Sequence, residues 1–223
     1  ITVDNGRMTL RAVHYFNPHR EGTQYKEPRA VATKYNMNFV YGYAEIRARV
    51  PFKYGALPSF WTQGTDYLSG IKKADYMVEV DIFEVYGTRD TLVPNLHKWY
   101  DDGRHTTWPG EKNTWIFSNV DTINNEYHVY GWEWTPTEMS MYVDGEKYMT
   151  FDTTKSFDED NDISGFSDPA FIMFNNHLFT SDQSWQPSVI NNKDLPVDYI
   201  IDYFRFYQKD GQGRIWIDET VKE

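Results

Sequence analysis

Short runs in which apolar and polar residues alternate with a period of two recur along the whole chain, and they constrain its fold most. From Ala44 to Val50, small or β-branched residues alternate with charged ones, as in a strand with one buried face. Turn residues separate these runs, and the Asn5-Gly6 and Asp144-Gly145 pairs are typical of tight hairpins. No helical periodicity of useful length interrupts them. The sequence therefore predicts an all-β fold, with antiparallel strands closed as two packed sheets.

The chain of 223 residues contains no linker, internal repeat or shift in composition, so we expect a single domain over residues 1–223. It has no Cys, which excludes disulfides and thiol chemistry. A formal net charge of −11 disfavours nucleic acids and anionic membranes as partners. No apolar run is long enough to cross a bilayer. A neutral or weakly charged partner is expected instead, and the aromatic content of 17% is compatible with a glycan.

Three carboxylates in the apolar, β-branched stretch 77–85 mark a candidate active site. Glu79 and Asp81 share one face of the predicted strand, and the neighbouring valines take the other. Strict alternation would place Glu84 with the valines, but a β-bulge of one residue at Ile82-Phe83 would return it to the acidic face. Three acids on one face should raise the pKa of at least one of them, as a glycosidase with a protonated acid and an ionised nucleophile requires. Taken alone, such a row is more often an ordinary solvent-facing strand than an active site.

The stretch Glu79-Val80-Asp81-Ile82-Phe83-Glu84 resembles the catalytic signature of glycoside hydrolase family 16 in its bulged form, E-x-D-x-x-E. This form occurs in laminarinases, agarases, carrageenases and endo-β-galactosidases. The resemblance covers most of the chain and implies the family's curved jelly-roll β-sandwich, with a substrate cleft across its concave face. The further segments that fall in the family's order are 41–51 (YGYAEIRARVP), 55–61 (GALPSFW), 127–136 (YHVYGWEWTP), 141–145 (MYVDG) and 201–207 (IDYFRFY).

The resemblance implies an endo-acting retaining glycoside hydrolase that cleaves internal β-linkages of a polysaccharide. Glu79 would attack the anomeric carbon, Glu84 would protonate the leaving oxygen and later activate water, and Asp81 would tune the pair. A β-1,3- or β-1,3(4)-glucan is the first expectation for the substrate. Leu57 stands where many β-1,3-glucanases have Trp, which keeps an endo-β-galactosidase or galactan hydrolase open. A transglycosylase with the same acids and a non-catalytic carbohydrate-binding jelly roll also stay open.

The resemblance also implies roles for residues outside the acidic row. Trp61 matches a platform on which a sugar ring stacks, and His97 matches a cleft histidine near the acid/base. Trp132, Trp134 and Asn175 align with cleft-lining positions. Each of these residues could instead have a purely structural role.

Arg47 also aligns with a cleft-facing position, but an ion pair with an acid on a neighbouring strand explains it nearly as well. Asp202 matches a position that often helps to bind a structural calcium on the convex side, although one carboxylate is too few for calcium. The family's usual first strand, which supplies part of that site, has no counterpart before Ile1. No cofactor is expected for catalysis. The acidic run 158–162 is expected to be a solvated loop rather than a metal site.

These features predict a polysaccharide or oligosaccharide as the partner, with no nucleic acid and no membrane insertion, and a monomeric protein. The expected location is secreted, cell-surface or periplasmic, in a bacterium. The absence of an N-x-S/T sequon argues against a glycosylated eukaryotic protein.

Overall fold

The computed structural model describes residues 1–22, 24–28, 30–34, 36–65, 75–87, 90–108, 114–119, 122–155, 165–181 and 188–217. Seventeen strands and two 3-10 helices, Ile123–Asn125 and Asn192–Asp194, are assigned within them. Within this described part, no helix has the length and the apolar character needed to cross a membrane. The strands are β1 (Thr2–Asp4), β2 (Arg7–Tyr15), β3 (Gln24–Lys26), β4 (Val31–Ala32), β5 (Met37–Val40), β6 (Gly42–Arg49), β7 (Ala56–Gly64), β8 (Tyr76–Glu84), β9 (Thr91–Tyr100), β10 (His105–Trp108), β11 (Trp115–Ile116), β12 (His128–Trp134), β13 (Glu138–Val143), β14 (Glu146–Asp152), β15 (Ala170–Leu178), β16 (Val197–Tyr207) and β17 (Arg214–Ile217).

The strands form two antiparallel sheets, which confirms the predicted all-β sandwich. The eight-stranded sheet has the order β1-β2-β16-β6-β12-β13-β14, with β3 beside β2. The nine-stranded sheet has the order β10-β9-β8-β7-β15-β5-β17, with β11 beside β9 and β4 beside β15. The strand with the three acids, β8, lies inside the nine-stranded sheet between β7 and β9.

The apolar residues of the alternating runs fill the space between the two sheets. On β6, Ala44, Ile46 and Ala48 are buried, while the charged residues between them point away from the core. This agrees with the predicted period of two, because successive side chains of a strand lie on opposite faces. The largest fully buried side chains are mostly aromatic and include Trp132, Tyr130, Tyr199, Phe60 and Phe83.

The regular pairing of β8 is interrupted where the sequence predicts a bulge. Asp81 and Phe83 pair with adjacent residues of β7, Trp61 and Phe60. Ile82 therefore has no partner on β7 and is the extra residue of the bulge. The register of β8 on β9 shifts at the same place, between Asp81 and Glu84. Ile82 and Phe83 are both buried, so the alternation of buried and outward-facing side chains is shifted by one residue after the bulge. The predicted bulge is therefore confirmed.

Candidate active site

Because of the bulge, Glu79, Asp81 and Glu84 all lie on the face of β8 that points away from the core. The neighbouring apolar residues of the strand, including those of the bulge, are buried in the sandwich. Asp81 lies between the two glutamates and is only 1% exposed. Glu79 and Glu84 are half-buried. Each acid lies close enough to another for their charges to repel, as predicted for three acids on one face.

The surroundings of Glu84 favour its protonated form. Burial, followed by repulsion from Asp81, raises the pKa of Glu84 to about 8. A hydrogen bond from the hydroxyl of Tyr86 to Oε2 of Glu84 and the nearby His97 ring oppose this rise of the pKa without cancelling it. A carboxyl group that holds its proton at neutral pH is suited to act as a general acid.

Glu79 has contacts that favour its ionised form. Burial, the largest effect, and the charge of Glu84 raise the pKa of Glu79 above its ordinary value, and His97 and the Trp99 indole limit this rise. The ring N–H of Trp99 donates to Oε2 of Glu79 at 3.3 Å. Burial and the Glu79 charge raise the pKa of Asp81 well above its ordinary value.

His97 belongs to this acidic group. It pairs with Glu79 across β8 and β9, is 8% exposed, and its Nε2 lies 3.0 Å from Oδ2 of Asp81. The two atoms are in close electrostatic contact, although they are not aligned for a hydrogen bond. On its other side, Nδ1 of His97 lies 2.8 Å from Nε2 of His105. Burial lowers the pKa of His97, while Glu79 and Glu84 raise it. The structure thus places His97 in the candidate site, against Asp81.

Trp61 and Asn175 lie on the same face of the nine-stranded sheet as the acids. Trp61 pairs with Asp81 across β7 and β8, and Asn175 belongs to β15 on the far side of β7. The indole N–H of Trp61 donates to Oδ1 of Asn175 at 3.1 Å. Both residues are partly exposed, so the Trp61 ring borders the acidic row in a fixed orientation. The stacking of a sugar on Trp61 stays a prediction.

The prediction that Trp132 and Trp134 line the cleft is wrong. They are 1% and 3% exposed, and their rings stack on each other in the core, with centroids 5.2 Å apart. The indole N–H of Trp134 donates to the carbonyl of Phe166 at 3.1 Å. The physical reason is that β12 belongs to the eight-stranded sheet, and this set of its alternate residues faces the interior.

Arg47 does not face the acids either. It projects from the outer face of β6 in the eight-stranded sheet, where its Nη1 lies 2.6 Å from Oδ2 of Asp202 on β16. The guanidinium also covers the ring of Tyr127, 4.6 Å from its centroid. The cleft-facing prediction is therefore wrong, and the expectation of an ion pair with an acid on a neighbouring strand is confirmed.

The surroundings of Asp202 do not fit a calcium site. Its Oδ1 accepts from Arg7 Nε at 3.2 Å and its Oδ2 from Arg47, so two guanidinium groups occupy the oxygens that a cation would need. These hydrogen bonds lower the pKa of Asp202. Among the described residues, the one group of three acidic or histidine side chains close enough to share an ion is Glu79, Asp81 and His97, on the other sheet. The acidic run 158–162 lies outside the described residues.

Three residues of the site were not predicted from the sequence: Tyr86, Trp99 and His105. Tyr86 follows Glu84 by two positions and Trp99 follows His97 by two, so the period of two could have placed both on the acidic face. His105 belongs to β10, and its ring stacks on Trp99 with centroids 3.5 Å apart. Only the pairing of β10 with β9 brings it there, and no short motif signals that pairing.

Comparisons with known proteins agree with this geometry. The chain is 29% identical over 209 residues to a beta-glucanase from Rhodothermus marinus, covering 92% of this chain and 69% of that protein. It is 23% identical over 220 residues to glucan endo-1,3-beta-glucosidase A1 from Niallia circulans, covering 94% of this chain but only 31% of that longer protein. The laminarinase from Flavobacterium sp. UMI-01 has a similar structure, with a TM-score of 0.67, 27% identity, and coverage of 92% of this chain and 80% of that one. Because residues 5–186, more than half of the chain, match the model of glycosyl hydrolases family 16, the chain belongs to that family.

Proposed function

We propose that the chain is an endo-acting, retaining hydrolase of β-1,3- or β-1,3(4)-glucans. The observation that carries the proposal is the bulge of β8, which brings Glu79, Asp81 and Glu84 to one face with different protonation preferences. The names of the relatives, a beta-glucanase, a glucan endo-1,3-beta-glucosidase and a laminarinase, support the choice of glucan. A polymer of this kind is too large to enter a cell, so the proposal includes action at or outside the cell surface.

In the first step, the ionised carboxylate of Glu79 attacks the anomeric carbon. The carboxyl group of Glu84 gives its proton to the glycosidic oxygen, so the bond to the leaving sugar breaks as the glycosyl–Glu79 ester forms. Because its pKa is elevated, Glu84 still carries this proton at neutral pH.

In the second step, Glu84 is a carboxylate and takes a proton from water, whose oxygen attacks the anomeric carbon. The ester bond breaks, Glu79 leaves as a carboxylate, and the product retains the β configuration. Trp99 donates to Glu79 and stabilises the negative charge that returns to it. Trp61, fixed by Asn175, offers an aromatic face to a neighbouring sugar of the chain.

A polysaccharide panel tests the proposal. Laminarin, mixed-linkage β-glucan, agarose and carrageenan are incubated with the protein, and reducing ends and product lengths are measured. We expect release from one or both β-glucans, with oligosaccharides of several lengths appearing early, as an endo-acting enzyme produces. Glu79→Gln should abolish release and keep binding, whereas Glu146→Gln, an exposed site on the opposite sheet, should change neither.

Three outcomes would contradict the proposal. Release from agarose or carrageenan alone would assign a galactan hydrolase, and products longer than the starting glucan would assign a transglycosylase. Binding to a polysaccharide without release from any would assign a carbohydrate-binding module.

A further inference from the structure

The extra residue of the bulge is held from across the core. Tyr148, on β14 of the eight-stranded sheet, donates its hydroxyl to the carbonyl oxygen of Ile82 at 3.0 Å. Ile82 is the residue of β8 that β7 leaves without a partner, between the paired Asp81 and Phe83. A bulge takes its extra residue out of the regular ladder of hydrogen bonds, so the carbonyl there needs another donor. Tyr148 supplies it.

The Tyr148 hydroxyl is suited to this single contact. Burial raises the pKa of Tyr148 far above its ordinary value, so the group stays protonated and remains a donor at any pH at which the enzyme works. Its ring is supported at the edge by Trp115, with centroids 5.7 Å apart. The hydroxyl lies on the core side of β8, whereas the acids lie on the other side. Tyr148 therefore has no direct access to a substrate.

The position of the bulge decides where Glu84 points, and the side chains of the bulge do not specify that position by themselves. Ile82 and Phe83 are both apolar and buried, so the core accepts either of them as the inserted residue. A shift of the bulge by one position would rotate the backbone just before Glu84. A directional bond to the Ile82 carbonyl distinguishes the two arrangements, because it is made only when that carbonyl points at β14.

We propose that Tyr148 is a positioning residue for the acid/base: its hydroxyl fixes the bulge of β8 at Ile82 and thereby directs the carboxyl group of Glu84 toward the glycosidic oxygen. The proposal rests on the proposed function, since it assigns Tyr148 a part in the same reaction. It predicts a defect in proton transfer from Glu84, with the attack by Glu79 left intact, because Glu79 and Asp81 precede the bulge on a regularly paired part of β8.

The chain provides matched controls for the variant Tyr148→Phe. Tyr130 and Tyr199 are also buried in the core, and the rings of both pack against Phe83 of the bulge, with centroids 4.8 and 6.4 Å away. Their hydroxyls have no hydrogen-bond partner among the described protein groups. Tyr130→Phe and Tyr199→Phe therefore make the same chemical change in the same part of the core without removing a bond to Ile82.

The experiment compares two substrates for each variant. Hydrolysis of the glucan cleaved by the wild type needs Glu84 to protonate a poor leaving group, whereas a 2,4-dinitrophenyl β-glycoside of the same sugar leaves without a proton. We expect Tyr148→Phe to lower kcat/KM on the glucan by about tenfold to a hundredfold, as for an acid misplaced by about 1 Å, and to keep kcat/KM on the dinitrophenyl glycoside within about twofold. Sodium azide, a nucleophile that needs no base, should accelerate turnover of the aryl glycoside by this variant. The two controls should resemble the wild type on both substrates.

Folding is checked by circular dichroism, and rates are measured well below each variant's melting transition, so that a loss of stability does not imitate a loss of positioning. The proposal is wrong if Tyr148→Phe behaves like the two controls, or if it loses activity equally on both substrates. Failure of the proposed function itself gives a different result, because the wild type would then cleave neither the glucan nor the aryl glycoside.

Discussion

Glu79 and Glu84 are the same residue type on the same face of one strand, and their neighbours give them different chemistry. Burial and the adjacent Asp81 hold the pKa of Glu84 at about 8. Glu79 receives the indole N–H of Trp99, a bond that favours its charged form. Such a division between two carboxyl groups is what a retaining glycosidase needs, since one must donate a proton while the other attacks.

Tyr86→Phe tests this division at the residue scale. The Tyr86 hydroxyl donates to the Glu84 carboxylate and so lowers the pKa of Glu84, against the larger effect of burial. Removing it should raise that pKa further. Because Glu84 acts as the acid only while protonated, kcat/KM falls as the pH rises through this pKa. We therefore expect the alkaline limb of the pH profile to move to higher pH in Tyr86→Phe.

The control for this prediction is Tyr54→Phe, which removes the hydroxyl of an exposed tyrosine. Its pH profile should match that of the wild type. An alkaline limb that stays in place or moves to lower pH in Tyr86→Phe would show that Glu84 is not the group that titrates.

At the scale of the element, the bulge could be predicted from the sequence because two requirements met in one short stretch. The acids at 79, 81 and 84 had to avoid the core, and the apolar residues between them had to enter it, which a regular strand cannot satisfy. The donor that holds the bulge, Tyr148, could not be predicted in the same way. It is 66 residues away in sequence and contacts Ile82 only because β14 packs across the core.

Deletion of Ile82 tests the bulge directly. Phe83 pairs with Phe60, so removing Ile82 leaves a strand with regular spacing in which the three acids still share a face. The acid keeps its partners, Ser59 on β7 and Val93 on β9, but it loses the local bend and twist that the bulge gives the strand, and about 1 Å of misplacement can cost about a hundredfold in rate. We expect a folded variant with at least this loss of glucan hydrolysis, measured by reducing-sugar release.

The conservative variant Ile82→Val keeps the inserted residue and should keep most of the activity. A deletion variant that folds and hydrolyses glucan at the wild-type rate would contradict a catalytic role for the bulge.

At the scale of the whole molecule, the candidate site lies on the nine-stranded sheet and not on the eight-stranded one, and the sequence predicts this placement less well. The period of two assigns Trp132 and Trp134 to one face of β12, but it does not tell whether that face meets the core or a cleft. It also does not tell which sheet a strand joins, so it could not correct the expectation, taken from the family resemblance, that Arg47 lies near the acids. Trp61 was placed correctly because β7 precedes β8 in the chain and pairs with it.

The contrast between Trp61→Ala and Trp132→Ala tests this placement of the site. Trp132 fills the core, so its truncation should cost about 3–5 kcal/mol of unfolding free energy in a urea titration. Trp61 is partly exposed beside the acids, so its truncation should change stability much less and should weaken glucan binding. The reverse result, with binding lost in folded Trp132→Ala and stability lost in Trp61→Ala, would contradict the placement of the cleft on the nine-stranded sheet.

The central claim is that Glu79 attacks the sugar and Glu84 serves as the acid/base. The most direct measurement is mass spectrometry of peptides after reaction with a 2-deoxy-2-fluoro β-glucosyl or laminaribiosyl fluoride, in which the fluorine at C2 slows breakdown of the glycosyl ester and the leaving fluoride allows it to form. The account predicts one added glycosyl group, on the carboxylate of Glu79. A glycosyl group on Glu84 or Asp81, or turnover of this substrate without any covalent adduct, would contradict it.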